Sequence, residues 1–172
     1  ADHPVKIQNG SATWGPGNAL VQFTGTHMGA EPNPRVGHFQ KFAGKAKLNA
    51  NGKDLESVEL VVDTTSLWTP IPNLTNHLQS PDFLDVREYP KATFQSTAVE
   101  SGGDEGQVTI VGKFTLHGTT QELKIPAEVQ VTDAGLTLVG SFTLDRGAFG
   151  MDQLQDRVVN EVGITVVIGL KP

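Results

Sequence analysis

The sequence predicts an all-β protein built as an antiparallel meander, and three observations predict it. Apolar residues recur with a period of two in short rows along most of the chain. Turn chemistry separates those rows, as at Asn51-Gly52, Ser101-Gly102-Gly103-Asp104, His117-Gly118 and Asp133-Ala134-Gly135. The chain also holds 19 Gly and 10 Pro in 172 residues, a composition that favours turns over long helices. Closing such a meander into a barrel would remove its exposed edges. A two-sheet sandwich is the competing layout. The length suits one domain spanning residues 1–172.

Taken in order, residues 1–18 carry little pattern, and Trp14-Gly15-Pro16-Gly17-Asn18 reads as a turn. Residues 19–27 alternate, with Ala19, Val21, Phe23, Gly25 and His27 on one face of a half-buried strand. Gly25 marks a bend, a bulge or a close approach. Residues 28–37 contain Gly29, Pro32, Pro34 and Gly37 and read as a loop, and Phe39 to Phe42 has the spacing of one helical turn. Strands follow over 42–48 and 56–63. Further inward rows are Ala92, Phe94, Ser96 and Ala98, then Val108 to Leu116, Leu123 to Val131 and Leu136 to Leu144. Pro126 points to an edge, bulge or bend. Residues 145–156 read as a loop, and a last strand runs from Arg157 to Leu170, apolar enough on both faces to be covered on both sides for part of its length.

Residues 73–90 break this pattern. Leu74, His77 and Leu78 fall on one side of a short helix at i, i+3 and i+4, and Ser80 or Asp82 could cap a further turn beside Pro81. Phe83 and Leu84 would anchor it, and Tyr89-Pro90 returns the chain to extended geometry. This stretch reads as a lid or shoulder over the strands. The inward rows mix small residues (Ala19, Gly25, Ala92, Ser96, Ala98, Gly112, Ala127 and Gly140) with large ones such as Phe23, Phe94, Phe114 and Phe142. That mixture fits either an elongated apolar cavity or an interdigitated solid core. Apolar rows under a small lid suit a long nonpolar ligand with few fixed polar contacts.

The chemistry the chain excludes narrows the function. There is no cysteine, so disulfides, thiolate metal sites and cysteine nucleophiles are absent. The net charge of -6, with four scattered arginines, disfavours nucleic acid or an anionic membrane as partner. No run approaches the ~20 apolar residues that would span a bilayer. The start, Ala-Asp-His-Pro, is that expected of a processed precursor. None of the five histidines has metal-ligand spacing, and no Gly-x-Ser-x-Gly elbow, dinucleotide glycine pattern or phosphate loop occurs. His27 and His77 are candidates for the cavity mouth, with a structural hydrogen bond as the plainer role of each. His38 and His117 fall in turn-like segments. Asp145-Arg146 and Asp156-Arg157 are candidate local ion pairs, with Glu161 as a further partner.

The ordered motifs resemble the YceI-like family of bacterial polyisoprenoid-binding proteins. The strongest block is His77-Leu78-Gln79-Ser80-Pro81-Asp82-Phe83-Leu84-Asp85-Val86-Arg87-Glu88-Tyr89-Pro90, followed by Thr93-Phe94-Gln95-Ser96. His27-x-Gly29, Gly37-x-Phe39, Phe42-x-Gly44, Gly112-x-Phe114-Thr115-Leu116-His117-Gly118-x-Thr120, Arg146-x-x-Phe149-Gly150 and Glu161-Val162 extend it through nearly the whole chain. The family commonly has an Arg-Asp pair where this chain has Leu74 and Thr75, and residues 30–35 are also distinctive.

The resemblance implies an eight-stranded lipocalin-like barrel with short helical lid segments, binding and transport or storage of a lipid, and no bond-making step. No cofactor is required, and the ligand classes implied are a polyisoprenoid, an isoprenoid quinone or a fatty-acid-like lipid. Phe23, Phe94, Phe114 and Phe142 are the wall candidates, and His27, His77 and Phe83 the entrance candidates. The setting implied is the periplasm or the extracellular space, with room for a homodimer or a transient membrane-associated protein partner. An enzyme acting on an isoprenoid or quinone-like lipid, and a non-catalytic protein-interaction barrel, are the alternatives.

Overall fold

The computed structural model describes residues 3–27, 33–151, 153, 158 and 160–169, with the side chains of His27, Asn33 and Pro34 outside the described set. Among the described residues, eleven strands form one antiparallel sheet. They are β1 (Ser11–Trp14), β2 (Ala19–His27), β3 (Asn33–Phe39), β4 (Phe42–Leu48), β5 (Leu55–Asp63), β6 (Leu67–Trp68), β7 (Lys91–Ser101), β8 (Gln107–Leu116), β9 (Thr119–Thr132), β10 (Gly135–Asp145) and β11 (Glu161–Ile168). One helix, α1 (Pro72–Leu78), and two 3-10 turns at Thr64–Ser66 and Arg146–Phe149 complete the elements among the described residues.

The expected closed barrel of eight strands is not what forms. The strand order is β1-β4-β5-β7-β8-β9-β10-β11-β2-β3-β6, and its two ends, β1 and β6, do not pair with each other. The sheet is an open, strongly curled half-barrel, and it curls far enough that Trp14 of β1 and Leu67 of β6 line one cavity. The eight rows read from the sequence are all strands. The three additions lie at or near the free ends: β1 from the pattern-poor start, β3 from the stretch read as a loop, and the two-residue β6.

β3 shows why its sequence misleads. β6 covers it only at His38 and Phe39, so the backbone of Pro34 lies along an uncovered edge, where a missing N–H costs little. Gly37 sits across from Phe23, and a Cβ there would come 2.7 Å from the carbonyl oxygen of Trp68 and run into the Phe23 ring. Proline and glycine here serve an edge and a ring seat rather than a loop. His38 is therefore on a strand, and the link from Phe39 to Phe42 is a bend between strands rather than a helical turn.

Two irregularities shape the curl. In β7 the register with β8 shifts between Ser96 and Ala98, which turns Ala98 outward and brings Val99 against the core. Pro126 marks a second. β9 pairs with β8 from Thr119 to Glu128, whereas its pairing with β10 stops at Ala127↔Gly140. Beyond that point β10 pairs only with β11, so the sheet forks. The 3-10 turn at Arg146–Phe149 bridges the fork. Gln121 donates to the Ala148 carbonyl at 3.1 Å, and Phe149 packs 5.6 Å from Phe114 between ring centroids.

The interior has two parts. At one end Val5, Ala12, Ala46, Leu48, Leu55, Val129 and Leu136 pack into solid core. Val5 and Leu136 exchange backbone hydrogen bonds there at 2.9 Å each way, tying down the N-terminal segment. The other end is hollow and carries α1 across it.

Candidate apolar binding site

The segment over the hollow end is held by local bonds. α1 begins at Pro72, whose ring suits a first helical position where no N–H is needed. Buried Thr69 fixes its entry: its backbone N–H donates to the Thr75 hydroxyl at 3.0 Å, and its own hydroxyl donates to the Ile71 carbonyl at 2.9 Å. After the helix the chain winds through turns, with Leu84 N–H donating to Leu78 at 3.0 Å and Asp85 N–H to Ser80 at 2.9 Å. Asp85 adopts φ 46°, a left-handed conformation that aspartate tolerates better than most residues. Gln79 donates to the Thr65 carbonyl at 3.0 Å and Thr64 to the Tyr89 carbonyl at 2.7 Å, which fastens both ends of the segment to the 3-10 turn after β5.

Beneath it lies a cavity of about 320 Å³. Its walls are aliphatic and aromatic side chains from both ends and the middle of the sheet, among them Val21, Leu60, Leu116, Ile125, Ile164 and Val166, and Leu74, Leu78 and Leu84 roof it. Three rings lie on glycines of the wall: Phe23 on Gly37, Trp14 on Gly44 and Phe94 on Gly112. A side chain at any of the three would collide with the ring that lies on it.

Among the described residues the polar lining is confined to Thr26, Arg35, His77 and Arg146, apart from the Trp14 indole N–H. Trp14 Nε1 is buried with no hydrogen-bond partner among the described residues. Arg146 is 2% exposed, and its guanidinium donates to the carbonyls of Met151 at 2.7 Å, Gln153 at 2.6 Å and Val158 at 3.2 Å. It thereby gathers the chain between β10 and β11. Its Cζ also stands 5.5 Å from the Phe83 ring centroid, and His77 meets the same ring edge-on at 5.0 Å. His77 Nε2 in turn lies 3.0 Å from Asp82 Oδ2.

Six of the seven residues singled out from the sequence line this cavity: Phe23, Phe94, Phe114 and Phe142 from the strands, and His77 and Phe83 from the covering segment. The side chain of His27 lies outside the described residues. So do Asp156-Arg157, Leu170 and residues 28–32. Asp145 and Arg146 do not pair as neighbours. Asp145 is exposed and accepts from Gly147 N–H at 2.8 Å, while Arg146 turns inward. His117 is structural: its Nδ1 lies 3.1 Å from the Phe149 carbonyl and its ring 4.5 Å from that of Tyr89. Sequence reasoning missed Trp14, Arg35 and Arg146 as lining residues. Trp14 lay in a stretch read as a turn, and arginine is a residue type expected outside. Leu74 and Thr75 divide the work: Leu74 lines the cavity and Thr75 holds Thr69.

The curled sheet and its covered hollow define an all-β protein with an internal apolar cavity. The chain belongs to the YceI-like family, whose domain pattern matches residues 13–170. Two relatives are a UPF0312 protein of Vibrio parahaemolyticus, 35% identical over 111 residues covering 64% of this chain and 57% of that one, and Protein YceI of Escherichia coli O157:H7, 34% identical over 112 residues covering 65% and 56%. The matched region thus spans little more than half the length of these curated relatives. Among solved structures, Burkholderia cenocepacia BcnA superposes with a TM-score of 0.78 at 24% identity, covering 87% of this chain and 94% of that one. A polyisoprenoid binding domain from Saccharophagus degradans, implicated in plant cell wall breakdown, superposes with a TM-score of 0.72 at 12% identity, covering 94% and 97%. No helix among the described residues is long and apolar enough to cross a membrane.

Proposed function

We propose that the protein binds an apolar molecule in the covered cavity and serves to carry or store it. The observation that carries this reading is the cavity itself: about 320 Å³ lined largely by hydrocarbon side chains, with few polar groups among its described lining residues. Burying an apolar chain there gains roughly 25 cal/mol per Å² removed from water, before ordering costs. A polyisoprenoid or isoprenoid quinone is the ligand class favoured, with support from the fold shared with the Saccharophagus degradans domain. The volume stands at the low end of the ~300–1,000 Å³ usual for small-molecule sites. A long chain would therefore insert one end and leave the remainder outside. The work is placed in the periplasm or outside the cell, a setting supported by membership of the YceI-like family.

Native mass spectrometry before and after organic extraction tests the reading. The expected result is a mass difference matching a released hydrophobic molecule, restored by adding a polyisoprenoid back. A protein whose mass is unaffected by extraction, and which takes up no added lipid, would sink it.

A further inference from the structure

The cavity's charged lining is one-sided. The chain carries 19 Asp and Glu against 13 Lys and Arg, yet no Asp or Glu lines the cavity among the described residues. Its charged or chargeable lining residues are Arg35, His77 and Arg146. They share one end of the sheet. Arg35 lies across from Gly25, near the end of β2 that leads to residue 28. β11 runs antiparallel to β2 and begins at Glu161, opposite Asp145, the residue before Arg146. Phe83 ties Arg146 and His77 together under the covering segment.

The three do different work. Arg146 spends its Nη atoms on the loop carbonyls, and His77 is engaged by Asp82, an exposed carboxylate outside the lining. Arg35 is half-buried and lines the hollow, and its guanidinium makes no hydrogen bond or ion pair among the described residues. A guanidinium at the rim of an apolar hollow presents a fork of donors that matches a carboxylate or a phosphate.

We propose that the cavity takes an amphipathic anion, its apolar tail in the hollow and its carboxylate or phosphate head received at the covered end by Arg35. This rests on the reading that the cavity holds an apolar ligand, and it adds the chemistry of the head group and the direction of entry. The tail points toward Trp14 and the packed core, and the head remains beside Arg35.

Three probes sharing one tail separate the possibilities: decanoate, decyl phosphate and decanol, titrated calorimetrically into the extracted full chain. At least one anion should bind roughly tenfold or more tightly than decanol, the margin of a charge-assisted hydrogen bond. The stronger anion identifies the head. Arg35→Gln should bring the ratio of anion to alcohol affinity close to one, and Arg35→Lys should keep part of it. Decanol binding as tightly as both anions would overturn the head-group assignment while leaving apolar binding intact. An anion preference that survives Arg35→Gln would overturn the role of Arg35. Failure of all three probes to bind would overturn the cavity reading together with the proposal.

Discussion

Trp14 stands directly across the β1–β4 ladder from Gly44 and lies over it, so closely that a Cβ at residue 44 would fall 2.6 Å from the indole Cδ2 and nearer still to Cε2 and Cζ2. The pair joins a free end of the sheet to the cavity wall. Trp14 also meets Phe42 at 6.0 Å between centroids. The glycine leaves room for a large ring to lie flat against the sheet, and the ring covers the backbone that the glycine would expose. Phe23 with Gly37 repeats the arrangement, and Phe94 lies over Gly112 diagonally, Gly112 standing across from Ser96.

Gly44→Ala should therefore destabilise the protein, although alanine suits strand backbone better than glycine does. The indole would have to leave its position, and overpacking of this kind costs roughly 1–3 kcal/mol. Urea unfolding followed by far-UV circular dichroism would measure it. An unchanged midpoint would show that Trp14 shifts freely.

Ser96 supplies a second test at the bulge of β7. Its hydroxyl oxygen accepts the Val58 N–H at 2.9 Å, just before the register shift that turns Ala98 outward. Ser96→Ala leaves that part-buried donor without its acceptor, at a cost of about 1–3 kcal/mol. Ser96→Thr keeps the oxygen and should recover most of the loss. Equal unfolding midpoints for the two variants would remove the hydrogen bond from the account.

The rows at 19–27 and 108–116 were legible because one face meets the interior and the other does not, and period two follows from that alone. Phe23, Phe94, Phe114 and Phe142 belong to such rows, which is why their inward facing could be read from the alternation. β3 was not: Pro34 and Gly37 are loop residues by composition, and only the short reach of β6 and the ring of Phe23 explain them on a strand. Ala98 was misassigned because a bulge adds a residue without a sequence mark. Closure was misjudged for a related reason. Alternation reports which face a residue takes, and it does not report whether the two outer strands of a curled sheet meet. Arg146 reads from sequence as half of a surface pair with Asp145, yet it is buried by a loop whose carbonyls it collects.

Arg146→Lys should lower stability markedly. Lysine keeps a charge but places one ammonium where two Nη atoms now serve three carbonyls, of Met151, Gln153 and Val158. Hydrogen bonds involving a charged group contribute about 1.5–3 kcal/mol each, so losing one or more should reduce the melting temperature by several degrees. Differential scanning calorimetry measures the loss. Hydrogen exchange should quicken first at Met151, whose N–H donates to the Arg146 carbonyl at 3.0 Å.

Gly140 offers a direct test of the cavity. It lines the hollow where β9 and β10 part, and a Cβ there would meet Ile125 Cγ2 at an ordinary 3.4 Å. Unlike Gly44, it has space for a side chain, and that space is the cavity. Gly140→Leu should leave a cooperative unfolding transition while occupying part of the hollow, weakening uptake of an apolar chain by roughly tenfold or more, the value of about two buried methylenes. Intrinsic fluorescence provides the readout, because Trp14 lines the cavity whereas Trp68 is 42% exposed. In a Trp68→Phe background, adding a polyisoprenoid should alter the Trp14 emission, and Gly140→Leu should move that titration to higher ligand concentration. An identical titration in both backgrounds would place the ligand away from Gly140. A titration that leaves Trp14 emission unaltered while the lipid is bound would put the ligand on the outer surface of the sheet.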